Sequence, residues 1–342
     1  MTVAPSFHPD RAAARTVLLM VGLTVALVVL MLVSVSLGYT GISVVDVARA
    51  VFGIGDEKAV IIVQQLRLPR TLLAVLIGAG LGTSGAVLQG LLRNPLAEPG
   101  VLGVSTSASL GAVVVIYFSL SAAFPLALPI GAMLGAAVAT GVLYLLAARQ
   151  VGTLTLVLSG AAISGLSIAL ISLAMNMSSN PWAISEIAFW LMGSVRDRTF
   201  HEVQIAAPFI ALGILLLAVT GRALDGLALG EDAARSLGVD VTRVRLLAIV
   251  GTSLATGAGV AVGGSVGFIG LMVPHLLRPV VGYIPSRLVL PSALGGAVLT
   301  LVADLAVRLL SRGTELHLGV LTSLIGTPFF FFLILRLRRQ MQ

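Results

Sequence analysis

From residue 99 to residue 148 the chain carries no Asp, Glu, Lys or Arg, and the same holds from 151 to 185 and from 246 to 277. A helix that crosses a bilayer needs about 20 apolar residues, because the hydrocarbon core is about 30 Å thick and each residue rises about 1.5 Å. Each charge-free stretch has room for one or two such helices. The whole sequence reads as ten spans, at 17–38, 70–91, 100–118, 125–147, 153–175, 203–220, 243–262, 266–283, 289–310 and 317–335. Pro274 and several glycines interrupt the eighth.

Composition excludes most other chemistry. Of 342 residues, 58% are hydrophobic and 10% charged, against roughly a quarter charged in soluble domains. There is no cysteine, so no disulfide, thiolate metal site or thiol nucleophile is expected. The single lysine, Lys58, sits in Asp56-Glu57-Lys58-Ala59, and a Walker A loop needs Gly-Lys-Ser/Thr. The chain therefore cannot hydrolyse ATP with a P-loop of its own. The net charge of +7 comes from arginines scattered between apolar runs, which reads as membrane topology and not as a nucleic-acid surface. The first apolar stretch is too long for a signal peptide and lacks a clear cleavage site, so it is expected to stay as a helix.

Ten spans put both termini on one side. With that side cytoplasmic, 13 of the 21 basic residues face inward, and Arg336-Leu337-Arg338-Arg339 anchors the C-terminus. Arg49, Lys58, Arg67, Arg70, Arg196, Arg198, Arg308 and Arg312 are left outside. Two outer loops, 39–69 and 176–202, and one inner loop, 221–242, are long enough to hold structure.

Glycine placement adds detail. Gly78 and Gly82, Gly131 and Gly135, and Gly259 and Gly263 form small-x-x-x-small patterns that let helices approach closely; at Gly131 generic packing suffices. Leu72-Leu73-Ala74-Val75 with Gly85 and Gly90 matches Leu246-Leu247-Ala248-Ile249 with Gly259 and Gly264 at a constant offset. The match joins spans two and seven, which run oppositely, as in an inverted repeat.

Few polar groups lie within the spans. Asp304 and Arg308 are four apart on one helix face and can neutralise each other. Gln89 suits an interhelical hydrogen bond, and His275 after Pro274 suits a polar cap. Gly82-Thr83-Ser84-Gly85 has the form of an intramembrane serine protease, with His275 as a conceivable base, but such short patterns of small residues arise by chance. An ion-coupled secondary transporter would want several deep carboxylates, and only Asp304 qualifies. A helical pathway powered from elsewhere fits better. The inner loop supports it: residues 227–239 read as one short amphipathic helix, with Glu231 and Asp232 in its first turn, Gly238 at its C-cap, and Leu229, Ala233 and Leu237 on one face. The competing reading places this helix on the lipid surface.

Several strings together resemble the FecCD family, the permeases of ABC importers for iron-siderophores, haem and cobalamin. They are Arg67-Leu68-Pro69-Arg70, Gly85-Ala86-Val87-Leu88-Gln89, Arg93-Asn94-Pro95-Leu96-Ala97-Glu98-Pro99-Gly100, the Gly230-Glu231-x-Ala233-x-x-Leu-Gly loop, Gly267-Phe268-Ile269-Gly270 through Pro274-His275, Ala303-Asp304, Glu315-Leu316 and Gly326-Thr327-Pro328. The resemblance implies a single all-α permease domain over 1–342, with ten transmembrane helices in the vitamin B12 permease-like fold. It implies a homodimer with the pathway at its interface, two ATPase subunits that hold ATP and Mg, and a periplasmic or lipid-anchored substrate-binding protein. The implied setting is a bacterial inner membrane, and no catalytic residue, metal or cofactor is assigned to this chain. Gly230, Glu231, Ala233, Ala234, Arg235, Leu237 and Gly238 would contact the ATPase. Arg67, Arg70, Arg308 and Arg312 would meet the binding protein, while Ser172, Met175 and Thr322 would line the path. The family's usual proline after Glu315-Leu316 is replaced by His317.

Overall fold

Apolar runs fold as helices in lipid because the bilayer cannot hydrogen-bond the backbone, and a helix satisfies those groups within its own segment. The computed structural model describes residues 9–38, 41–122, 124, 126–149, 152–311 and 316–341; Arg312 and Glu315 lie outside the described residues. In chain order the helices are α1 (Pro9–Ser36), α2 (Val44–Val51), α3 (Glu57–Ile61), α4 (Leu68–Leu91), α5 (Val104–Tyr117), α6 (Ala127–Ala148), α7 (Thr153–Met177), α8 (Pro181–Leu191), α9 (Phe200–Val219), α10 (Gly221–Ala228), α11 (Glu231–Ser236), α12 (Val241–Gly263), α13 (Ile269–Leu277), α14 (Pro285–Leu310) and α15 (Leu318–Met341).

Among the described residues, seven helical stretches are long and apolar enough to cross a membrane: those of α1, α3–α4, α6, α7, α9, α12 and α14. The third and tenth expected spans are shorter apolar helices, Val104–Tyr117 and Leu318–Leu333. The eighth is interrupted, as its glycines imply, but the helical part is shorter than 266–283: residues 264–268 are non-helical and lead into α13, a half-length helix of 9 residues. Gly264 (φ 67°) and Phe268 (φ 66°) hold the turn in left-handed geometry. The second span also begins earlier than expected. Glu57–Leu91 is one helical stretch with a π-helical segment at Ile62–Arg67. Pro69 lacks an N–H and disrupts the regular ladder, and just before it the Leu68 N–H reaches back to the Val63 carbonyl, five residues away.

α4 and α12 form the inside of the bundle. In each, 78% of the apolar window is buried within the chain, against 0% for α1. α4 packs on α14 and α13, α12 packs on α6 and α5, and α9 touches both. Small residues make the α4–α14 seam: a Cβ at Gly78 would strike the Gly296 backbone, and one at Gly82 the Ser292 carbonyl. The expected single helix at 227–239 is also corrected. It is two helices, α10 and α11, broken at Gly230, whose φ of 113° no L side chain adopts comfortably.

Candidate functional site

The two ends of α4 define the two ends of the bundle. At one end α10 and α11 form a knuckle. Leu224, Leu227 and Ala234 are buried against Leu91, Val241 and Val244. Leu229 and Leu237 remain 71% and 67% exposed, with Asp232, Arg235 and Gly238 beside them at the surface. A Schellman pair closes α11: the Gly238 N–H donates to the Arg235 carbonyl at 2.9 Å and the Val239 N–H to the Ala234 carbonyl at 3.0 Å. Ala234 thus faces inward, and Ala233 is half-buried. The first α11 residue, Glu231, forms an ion pair with Arg245 of α12, and Asp225 Oδ1 accepts the Ser286 N–H of α14 at 2.8 Å.

The opposite end holds the arginine cluster. Asp304 is buried and takes two cations: Arg70 Nη2 donates to Oδ1 at 2.8 Å and Arg308 Nε to Oδ2 at 2.9 Å. The local Asp304–Arg308 pair expected from sequence is therefore one half of a three-residue network. Arg308 Nη1 also donates to the Ser34 carbonyl at 2.8 Å, and Arg67 Nη1 to those of Val35 and Ser36 at 3.0 and 2.9 Å. Arg67 is only 7% exposed. These side chains close the C-terminal end of α1, whose last carbonyls lack helical partners.

Beside the C-terminal end of α12 lies an open cavity of about 690 Å³, walled by Leu191, Met192, Ser265, Gly267, Gly319, Val320, Ser323, Leu324, Thr327 and Pro328. Three backbones converge at its edge. The Gly319 N–H donates to the Gly193 carbonyl and the Ser194 N–H to the Gly263 carbonyl, and a Cβ on Gly319 would strike the Met192 and Ser265 carbonyls. The sequence-derived lining residues are not gathered here. Thr322 is buried, its Oγ1 spent on the Gly319 carbonyl at 3.1 Å. Met175 packs on the core of α5 and α6, and Ser172 is exposed on α7. The cavity's polar wall is Ser265, Ser323 and Thr327, which the sequence reading does not single out. Four-residue spacing along Gly319, Ser323 and Thr327 was the available signal.

The motif strings meet one another. Gln89 Nε2 donates to the Gly270 and Leu271 carbonyls at 3.3 Å, and Arg278 Nη2 donates to Gln89 Oε1 at 2.6 Å. Gly270 lies against Gly85 and Pro99. After α4, the Asn94 N–H bonds the Gln89 carbonyl, and Asn94 Oδ1 accepts the Leu96 N–H at 2.9 Å, which turns the chain through Pro95 toward Gly100. Glu98, in this loop, is pushed above the usual carboxylate range by burial and pulled back by the Phe268 N–H that it accepts. The run at 93–100 is thereby tied to the unwound 264–268 segment at the cavity. His275 packs edge-to-face on Phe329 at 5.9 Å. Ser84 is fully buried and its Oγ has no hydrogen-bond partner among the described residues, so nothing activates it as a nucleophile. His317 stacks on Phe189 of α8 at 5.5 Å.

The FecCD transport family matches residues 26–336. The vitamin B12 import system permease protein BtuC of Vibrio cholerae serotype O1 is 42% identical over 277 residues, covering 80% of this chain and 83% of that one. The Fe(3+)-citrate import system permease protein YfmE of Bacillus subtilis is 36% identical over 326 residues, covering 95% and 96%. A solved structure described as an inward-facing conformation of a metal-chelate type ABC transporter superposes with a TM-score of 0.82 at 33% identity, covering 93% of this chain and 98% of that one. The chain belongs to the FecCD transport family.

Proposed function

With that membership as premise, a non-catalytic permease subunit of an ABC importer for iron complexes, haem or cobalamin, we propose that the chain carries an iron complex, an iron-siderophore before haem or cobalamin. The nearly end-to-end match to a ferric-citrate permease supports this reading. The higher identity to a B12 permease over a shorter stretch supports cobalamin as the second.

The working unit is a homodimer in a bacterial inner membrane with both termini cytoplasmic, two ATPases bound inside and a binding protein docked outside. α7 buries only 22% of its apolar window within the chain, which leaves a face of that helix for a second copy or for lipid. The paired packing of α4 on α14 and α13, and of α12 on α6 and α5, supports the inverted repeat. The observation that carries the mechanism is the α10–α11 knuckle: an apolar-tipped surface, braced from beneath, of the shape a cleft on an ATPase would take. ATP binding on the partners shifts the knuckle and changes which side of the cavity is open. Outside, Arg70 and Arg308 share the Asp304 carboxylate, and Arg67 lies close enough to add to their positive charge. That excess positive charge supports a role, with Arg312, in steering acidic residues of the binding protein.

Uptake of labelled iron-siderophore, haem and cobalamin by the complex in proteoliposomes tests the cargo. Uptake of the siderophore alone is expected, and uptake of cobalamin alone would replace this reading with the second.

A further inference from the structure

ATPase contact at the knuckle does not by itself explain how the cavity, at the far end of α12, responds. Glu231 opens α11, immediately after the turn formed by exposed Leu229 and half-buried Gly230. Its partner Arg245 lies in the second turn of α12 and is among the largest fully buried side chains, 2% exposed. From there α12 runs without interruption to Gly263, a rise of about 27 Å, packed between α4, α6 and α9. Immediately beyond Gly263 the chain unwinds at 264–268, and Ser265 and Gly267 of that segment are cavity wall. A close-packed helix transmits displacement along its length, so the unwound segment is the compliant part.

We infer that the Glu231–Arg245 ion pair is the joint through which the knuckle drives α12, so that α12 carries the motion to the Ser265–Gly267 wall. Both are positioning residues: neither touches cargo or nucleotide. Asp225, bonded to the N-terminus of α14 at Ser286, holds α10 while α11 pulls. A buried guanidinium suits this role because its charge is not readily left without a counter-ion, so α12 follows Glu231. The inference rests on the reading of α10–α11 as the ATPase contact.

The chain has no cysteine, and a Cβ at Gly267 meets nothing within 4 Å, so Gly267→Cys places a unique thiol of this chain on the cavity wall. In the permease–ATPase complex, its labelling rate with a membrane-impermeant maleimide is expected to change about fivefold or more between nucleotide-free and ATP-bound states. In the Arg245→Met background, which leaves the half-exposed Glu231 in place, the ATPase should still co-purify and hydrolyse ATP, while the labelling change falls below about twofold. Arg245→Gln, which keeps a polar group but not the charge, should give the same loss. An undiminished ATP response in both variants would overturn the inference, as would a Gly267→Cys parent that never responds. Loss of ATPase co-purification in the variants alone would also overturn it, making Arg245 a support of the loop's fold and not a relay of its motion. A parent chain that retains no ATPase would remove the functional reading together with the inference.

Discussion

Arg70 and Asp304 stand 234 positions apart in the chain, yet Arg70 Nε and Nη2 both donate to Asp304 Oδ1, at 2.9 and 2.8 Å. This fork ties α4 to α14 at the end opposite the knuckle, and Arg308 extends the tie to the last turn of α1.

Asp304→Asn removes the buried carboxylate that, among the described residues, offsets the two partly buried cations Arg70 and Arg308. Breaking a buried pair by removing one partner costs about 3–5 kcal/mol. Thermal unfolding of the detergent-purified protein should show a marked loss of stability, larger than that of an exposed change such as Asp56→Asn, where only an N-cap bond to Ala59 is weakened.

The helix seams predict opposite outcomes for one substitution. Gly296→Ala places a methyl group against the Gly78 backbone and should force α4 and α14 apart, at a cost of about 1–3 kcal/mol as overpacking. Gly141→Ala meets nothing within 4 Å and should be neutral or stabilising by up to about 1 kcal/mol through helix propensity. Melting curves of the two variants check the sign.

At the knuckle, Leu229→Asp and Leu237→Asp alter exposed side chains, so folding and membrane insertion should be unaffected. Co-purification of the ATPase should fall by about tenfold or more, the loss of one well-packed contact of about 1.4 kcal/mol or greater. Ala234→Asp would also lose the ATPase, but by another route: Ala234 is buried against α12, and the charge would unfold the loop.

In the cavity, Ser323→Trp adds bulk beside Thr327 and Ser265. Cargo uptake should fall while ATPase co-purification stays at the parent level. Equal loss of both would mean that the cavity is structural.

Much of the architecture was legible because apolar runs of span length leave a bilayer helix little alternative. The specific strings around Asn94 and Pro274 were legible as units, but not that they face each other, since the Gln89–Arg278 bond joins residues 189 apart. The broken eighth span showed itself in Gly264, Gly267 and Pro274, whereas its length did not. Hydropathy counts an unwound apolar segment and a helix alike, and the positive φ values at Gly264 and Phe268 separate them. Arg67 and Arg70 illustrate a further limit. Their position near a span end was readable, but their commitment to α1 carbonyls and to Asp304 depends on helices that only tertiary packing brings together. The cavity wall was hidden for a related reason. Thr322 and Ser323 are adjacent in sequence, and helical phase alone decides which one reaches the cavity wall.

Uphill transport in vesicles distinguishes a passive gate moved by a separate ATPase from a pump that powers itself. The purified permease reconstituted with its ATPase and binding protein should accumulate labelled cargo against a gradient only when ATP and Mg are supplied, and the permease alone should not. Accumulation by the permease alone, with no ATPase present, would contradict the account.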